Sequence, residues 1–94
     1  MKNNLILSGL HLTLSDSHKD IVSSKMEKIF KHEEKIIRAR VELERSTKSS
    51  SHGNEFVAKG HLELKGGSIT ISSASDNIFK SIDDLIEKLD RGLR

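Results

Sequence analysis

The 94-residue chain contains no cysteine, no tyrosine and no tryptophan, and its only phenyl rings are Phe30, Phe56 and Phe79. Without cysteine there can be no disulfide, no thiolate metal site and no Cys nucleophile, which fits a reducing compartment such as the cytoplasm. Proteins that grip single-stranded bases stack them on exposed aromatic rings. A chain this poor in rings is not expected to use that mode. No apolar run approaches the roughly 20 residues that span a bilayer, which argues against a membrane protein. The segment Met1–Leu10 has one lysine and no small-residue cleavage site, so it reads as a strand and not as a secretion signal. Charge of one sign is also scarce: 16 Lys and Arg oppose 14 Asp and Glu, for a net charge of +2. Any affinity for nucleic acid must therefore come from where the basic residues sit.

What is present reads as one domain over residues 1–94, with 34% hydrophobic and 32% charged residues. Asn4–Ser8 is a short apolar strand closed by Gly9. From Ser15, an N-cap residue, Val22, Met26, Ile29 and Phe30 recur at helical spacing, predicting a helix that ends near His32. Ile37, Ala39, Val41 and Leu43 then alternate with Arg38, Arg40, Glu42 and Glu44, the period of a strand with one buried face. The polar stretch Ser46–Asn54 reads as a flexible loop. Phe56, Ala58, Gly60, Leu62 and Leu64 alternate in a third strand. Gly66-Gly67 suits a type I′ hairpin turn, and Ile69 and Ile71 mark a fourth strand. Asp76 or Asn77 caps a helix striped by Ile78, Ile82, Leu85, Ile86, Leu89 and Leu93. The order is β-α-β-β-β-α. Its simplest packing is an α+β two-layer sandwich, with both helices on one face of a four-stranded sheet. The other face, bearing Arg38, Arg40, Glu42, Lys59, His61 and Glu63, is left open to water.

Plotting the helices at about 100° per residue places their charges. Lys25, Lys28 and His32 lie along one flank of the first apolar stripe, with Lys31 beyond them and Lys19 on the opposite flank. On the second helix Lys80 and Arg91 project away from the stripe, Lys88 lies between that face and a flank, and Arg94 ends the chain nearby. Two readings stand at this point. Asp84–Lys88 and Glu87–Arg91 are spaced as ordinary solvated i,i+4 pairs, worth tenths of a kcal/mol. Alternatively, helices lying side by side would join these cations into a phosphate-binding surface.

Catalytic and metal chemistry find little support. The histidines His11, His18, His32, His52 and His61 have no ligand spacing and no Cys partners, so neither a metal nor another cofactor is expected. Ser49, Ser50 and Ser51 beside His52 are loop composition, since neighbours in sequence do not make a triad. Asp83 and Asp84 point about 100° apart, so they are not a carboxylate pair. Gly66-Gly67 is too short to cradle a phosphate.

Several segments together resemble a known family. Ser8-Gly9-Leu10-His11-Leu12-Thr13-Leu14-Ser15 resembles the SGxxLxLT-like opening of the ribosome hibernation-promoting factors, also called ribosome-associated inhibitors. Val22, Lys25, Lys28 and Ile29 are similar to their VxxKxxKI-like run. Asn77-Ile78-Phe79-Lys80-Ser81-Ile82-Asp83 resembles DMYxAID, and Leu85–Leu93 (LIEKLDRGL) resembles LIDKLxRQL. The element order agrees, and the likeness covers the whole chain in its short, single-domain form.

The resemblance implies a non-enzymatic protein of the cytoplasm. It would sit in the messenger- and transfer-RNA channel of the small ribosomal subunit and block translation in ribosomes idled by stress or stationary phase. Carried over to matching positions, it implies contacts to the ribosomal RNA backbone from Lys25, Lys28, Lys88 and Arg91. Lys19 falls where the family often has a basic residue, and Lys31, Lys80 and Arg94 extend the set from the charge map. Asn77 and Phe79 depart from the family's usual Asp and Tyr. Residues 1–94 do not include the family's basic tail after Gly92 or a domain like that with which long members pair ribosomes, so a short, single-domain form is expected. A role in ribosome dimers is therefore expected to be indirect. Two other readings remain: a generic structured-RNA module, since the fold also resembles double-stranded-RNA-binding domains, and a protein-interaction module using the open sheet face.

Overall fold

The computed structural model describes residues 4–47, 53 and 55–93, together with the side chains of all of these but Asn4. The elements run β1 (Asn4–Leu10), α1 (Asp16–His32), β2 (Ile36–Arg45), β3 (Phe56–Leu64), β4 (Gly67–Ser75) and α2 (Ile78–Gly92). Both helices begin where the sequence places a cap. Ser15 Oγ accepts from the His18 amide at 3.2 Å, and His18 Nδ1 accepts in return from the Ser15 amide. This reciprocal box satisfies donors that the first turn leaves without partners. At α2, Asn77 Oδ1 accepts from the amides of Phe79 and Lys80.

The strands form one sheet in the order β1-β2-β3-β4. β1 runs parallel to β2, which requires a crossover, and α1 supplies it. β2, β3 and β4 follow as antiparallel neighbours. The register aligns Leu7, Val41, Gly60 and Ile71 across all four strands on one face. Ile6, Arg40, His61 and Thr70 align next to them on the other. The first face carries the core: Ala39, Val41, Leu43, Ala58 and Leu62 are buried together with Val22, Met26 and Ile29 of α1 and Ile78, Ile82, Leu85 and Leu89 of α2. Side chains alternate along each strand, so the opposite row is left to solvent. The two-layer α+β arrangement is therefore the one the sequence predicts.

Four details differ from expectation. β1 continues through Gly9 to Leu10 and does not stop at Ser8. Ile37 is not in the core but 47% exposed, and Ile36 is buried instead. The cause is a bulge: the β2–β3 register shifts between Ile36 and Arg38, and an extra residue reverses which side chain faces inward. The β3–β4 turn is Lys65-Gly66, with Leu64 paired to Gly67. Only Gly66 has positive φ there (+87°), so the turn is not type I′, which needs it at both positions. Finally, Ser81 is fully buried within the apolar stripe of α2. Its hydroxyl donates to the Phe56 carbonyl and lies 2.7 Å from Ser75 Oγ, tying α2 to the ends of β3 and β4. Most of the Ser46–Asn54 loop, with Ser49, Ser50, Ser51 and His52, lies outside the described residues, as does Arg94. Ser46 donates its amide to the Glu55 carbonyl at 2.6 Å where the two strands diverge.

Gly9 accounts for the opening motif in packing terms. A Cβ at this position would collide with the Leu12 carbonyl oxygen and sit 3.2 Å from Leu14 Cγ. The chain doubles back there, with His11 at φ +55°. Gly9→Ala is expected to destabilise the fold by about 1–3 kcal/mol, as overpacking does. Denaturant unfolding monitored by circular dichroism checks this, and an unchanged midpoint would refute it.

Candidate nucleic-acid interface

The helices run side by side in the same direction, because each follows a strand of the same sense. His18 and Phe79, near their N-terminal ends, bring their rings to 5.4 Å. Lys25 and Asp83 meet one turn or more further on, with Lys25 Nζ 2.9 Å from the Asp83 carboxylate. At the far end His32 of α1 and Glu33, which follows it, share a hollow with Asp90 and Leu93. Between these points runs a groove of about 410 Å³. Lys25, Lys28 and His32 form its α1 wall and Asp83, Glu87 and Asp90 its α2 wall, over a floor that includes Ile29 and Ile86.

The predicted residues are thus divided. Lys25 and Lys28 stand together on the groove, as the helical plot implied. Lys25 is held by Asp83, whereas Lys28 is exposed and forms no ion pair among the described residues. Lys31 is exposed beyond them, 3.9 Å from Glu27. Lys19 is exposed on the other flank of α1. On α2, Lys80 and Arg91 are exposed, and Arg91 is hydrogen-bonded to Glu87 in the expected i,i+4 pair. Lys88 behaves differently. Its Nζ lies 3.5 Å from the Ser72 carbonyl oxygen, so it leans over β4 and away from the groove, and no Asp84–Lys88 pair forms. The helix layer is accordingly not one positive sheet of charge. Its cations lie on the α1 wall, on the outer crest of α2 and over the β4 edge, and acids separate them.

Sequence reasoning missed the acidic α2 wall. The periodicity carried the signal, since Asp83, Ile86 and Asp90 share a flank at about 100° per residue. Which flank faces α1 follows only from the packing. The opposite sheet face balances Arg38, Arg40 and Lys59 against Glu42, Glu44 and Glu63, with Lys59 between Glu42 (4.0 Å) and Glu44 (3.6 Å). His61 Nδ1 lies 2.7 Å from Thr70 Oγ1, but no carboxylate is hydrogen-bonded to His61 among the described residues. Nor, among the described residues, do three or more His, Asp or Glu come together as metal ligands, and no helix among them is long and apolar enough to cross a membrane.

One four-stranded sheet with both helices on its apolar face, in the order β-α-β-β-β-α, defines an α+β two-layer sandwich. The chain belongs to the sigma 54 modulation protein / S30EA ribosomal protein family, whose model matches residues 5–94. Its fold is similar to a ribosomal subunit interface protein from Coxiella burnetii. That structure has a TM-score of 0.83 at 18% identity, over 96% of this chain and 92% of that one. It is also similar to the N-terminal domain of Thermus thermophilus Protein Y, with a TM-score of 0.80 at 21% identity, over 98% and 96% of the two chains. No curated protein matches the chain in sequence.

Asn77, where the resemblance leads one to expect Asp, makes the cap on its own amide oxygen. Asn77→Asp is therefore expected to keep or slightly raise stability, because a carboxylate also favours the positive end of the helix. Asn77→Ala should cost about 1 kcal/mol. Thermal melts of the two variants check the contrast, and equal losses would contradict the cap.

Proposed function

We propose that the protein binds the small ribosomal subunit in the channel used by messenger and transfer RNA and blocks translation in idle ribosomes. The observation that carries this reading is the family match over residues 5–94. The two similar structures, a ribosomal subunit interface protein and the N-terminal domain of Protein Y, point the same way. The action is occupancy, not catalysis, and takes place in the cytoplasm.

The physical chemistry suits that role. A rigid wedge in a structured RNA channel positions itself by phosphate contacts, which do not read bases and which weaken as salt rises. Such binding needs no stacking platform, consistent with the three phenylalanines, of which only Phe79 is among the exposed large hydrophobics. Lys25 and Lys28 meet phosphate from the rim of the groove, with Lys80 and Arg91 on the crest of α2 and Lys19 and Lys31 flanking α1. Lys88 joins them by releasing the Ser72 carbonyl, a weak contact at 3.5 Å. Arg94 completes the set.

Lys25→Glu combined with Lys28→Glu should leave the circular dichroism spectrum unchanged and weaken binding to purified small subunits by about tenfold or more at moderate salt. Arg38→Glu with Arg40→Glu on the sheet face should change it far less. If the sheet-face pair abolishes binding and the helix pair does not, the open face is the binding surface and the helix assignment fails.

A further inference from the structure

The contact between Lys25 and Asp83 has a consequence for binding strength. The two side chains belong to different helices, meet at 2.9 Å, and are 35% and 58% exposed. An exposed pair of this kind adds little to the fold, and removing it costs under about 1 kcal/mol. Its effect on a polyanion is larger. A lysine whose charge is matched by a carboxylate at contact distance neutralises no phosphate until that carboxylate is displaced, and the displaced acid then lies close to the RNA. The same wall holds Glu87 and Asp90, so the groove opposes entry of phosphate on its α2 side. Glu87, however, is engaged by Arg91 on its own helix.

We infer that Asp83 is an internal competitor for the ribosomal RNA backbone at Lys25, setting the affinity and salt tolerance of the complex below what the lysines alone would give. This rests on the proposed function. It makes Asp83 a residue that lowers affinity without contacting RNA favourably: it weakens binding to any phosphate at Lys25 and leaves the remaining cations to hold the RNA surface. The mechanism is distinct from general charge repulsion. Asp84, next in sequence, carries the same charge about 100° round the helix, away from the groove, so it serves as an internal control.

The test measures binding of wild type, Asp83→Asn, Asp84→Asn, Lys25→Met and the Lys25→Met/Asp83→Asn double variant to vacant small subunits across a salt series. Asp83→Asn should bind roughly fivefold tighter at about 0.1 M salt. The slope of log K against log salt should steepen by about 0.7–0.9, the signature of one more phosphate neutralised. Asp84→Asn should move affinity by less than about twofold with no change of slope. In the Lys25→Met background, Asp83→Asn should lose its slope change. If Asp83→Asn and Asp84→Asn behave alike, or the slope change survives without Lys25, the competitor role is overturned while ribosome binding stands. If wild type does not bind at any salt, the functional reading falls and takes this inference with it.

Discussion

Leu85 and Leu89 of α2 lie over Gly60 at the middle of β3, with their methyl carbons 3.0–3.4 Å from where a Cβ would be. That close approach seats α2 on the inner strands. With α1 contributing Val22, Met26 and Ile29 to the same cluster, the two helices together cover the apolar face of the sheet. A buried leucine contributes about 1.5–3 kcal/mol, far more than any exposed ion pair present. Packing thus decides which flank of each helix is turned to its neighbour, and the charges take the positions that packing leaves them. The groove, its opposed walls and the outward crest of α2 all follow from this.

The electrostatics are then a compromise. Two helices placed side by side with cations on both facing flanks would repel each other. Here the α1 flank is basic and the α2 flank acidic, so the layer is attractive within itself and has less positive charge to offer outside. Lys28, without an ion pair among the described residues, and Lys80 and Lys19, on the outer surface, are the cations least compromised by the arrangement.

Much of this was legible in the sequence because it rests on period. The alternation of Ala39, Val41 and Leu43 and the stripe of Ile78, Ile82, Leu85 and Leu89 fixed strands, helices and buried faces, and Ser15 and Asn77 marked helix starts. What the sequence did not reveal depends on partners remote in the chain. A bulge that turns Ile37 outward has no local signature, since Ile36 and Ile37 are equally apolar. Ser81 looked like an interruption of an apolar stripe until the Phe56 carbonyl, 25 residues away, came into contact with it. The site was legible as a list of lysines on helix flanks. It was not legible as a surface, because the helical plot cannot say that Asp83 faces Lys25 or that Lys88 reaches Ser72.

The proposed role is to occupy the RNA channel of the small subunit through salt-sensitive phosphate contacts. Co-sedimentation of the purified protein with vacant ribosomes, over a salt series and with transfer RNA as competitor, tests it most directly. The protein is expected to pellet with the small subunit at low salt, to be released as salt rises, and to be displaced by transfer RNA. A protein that stays in the supernatant at low salt, or pellets equally well with transfer RNA in excess, would contradict it.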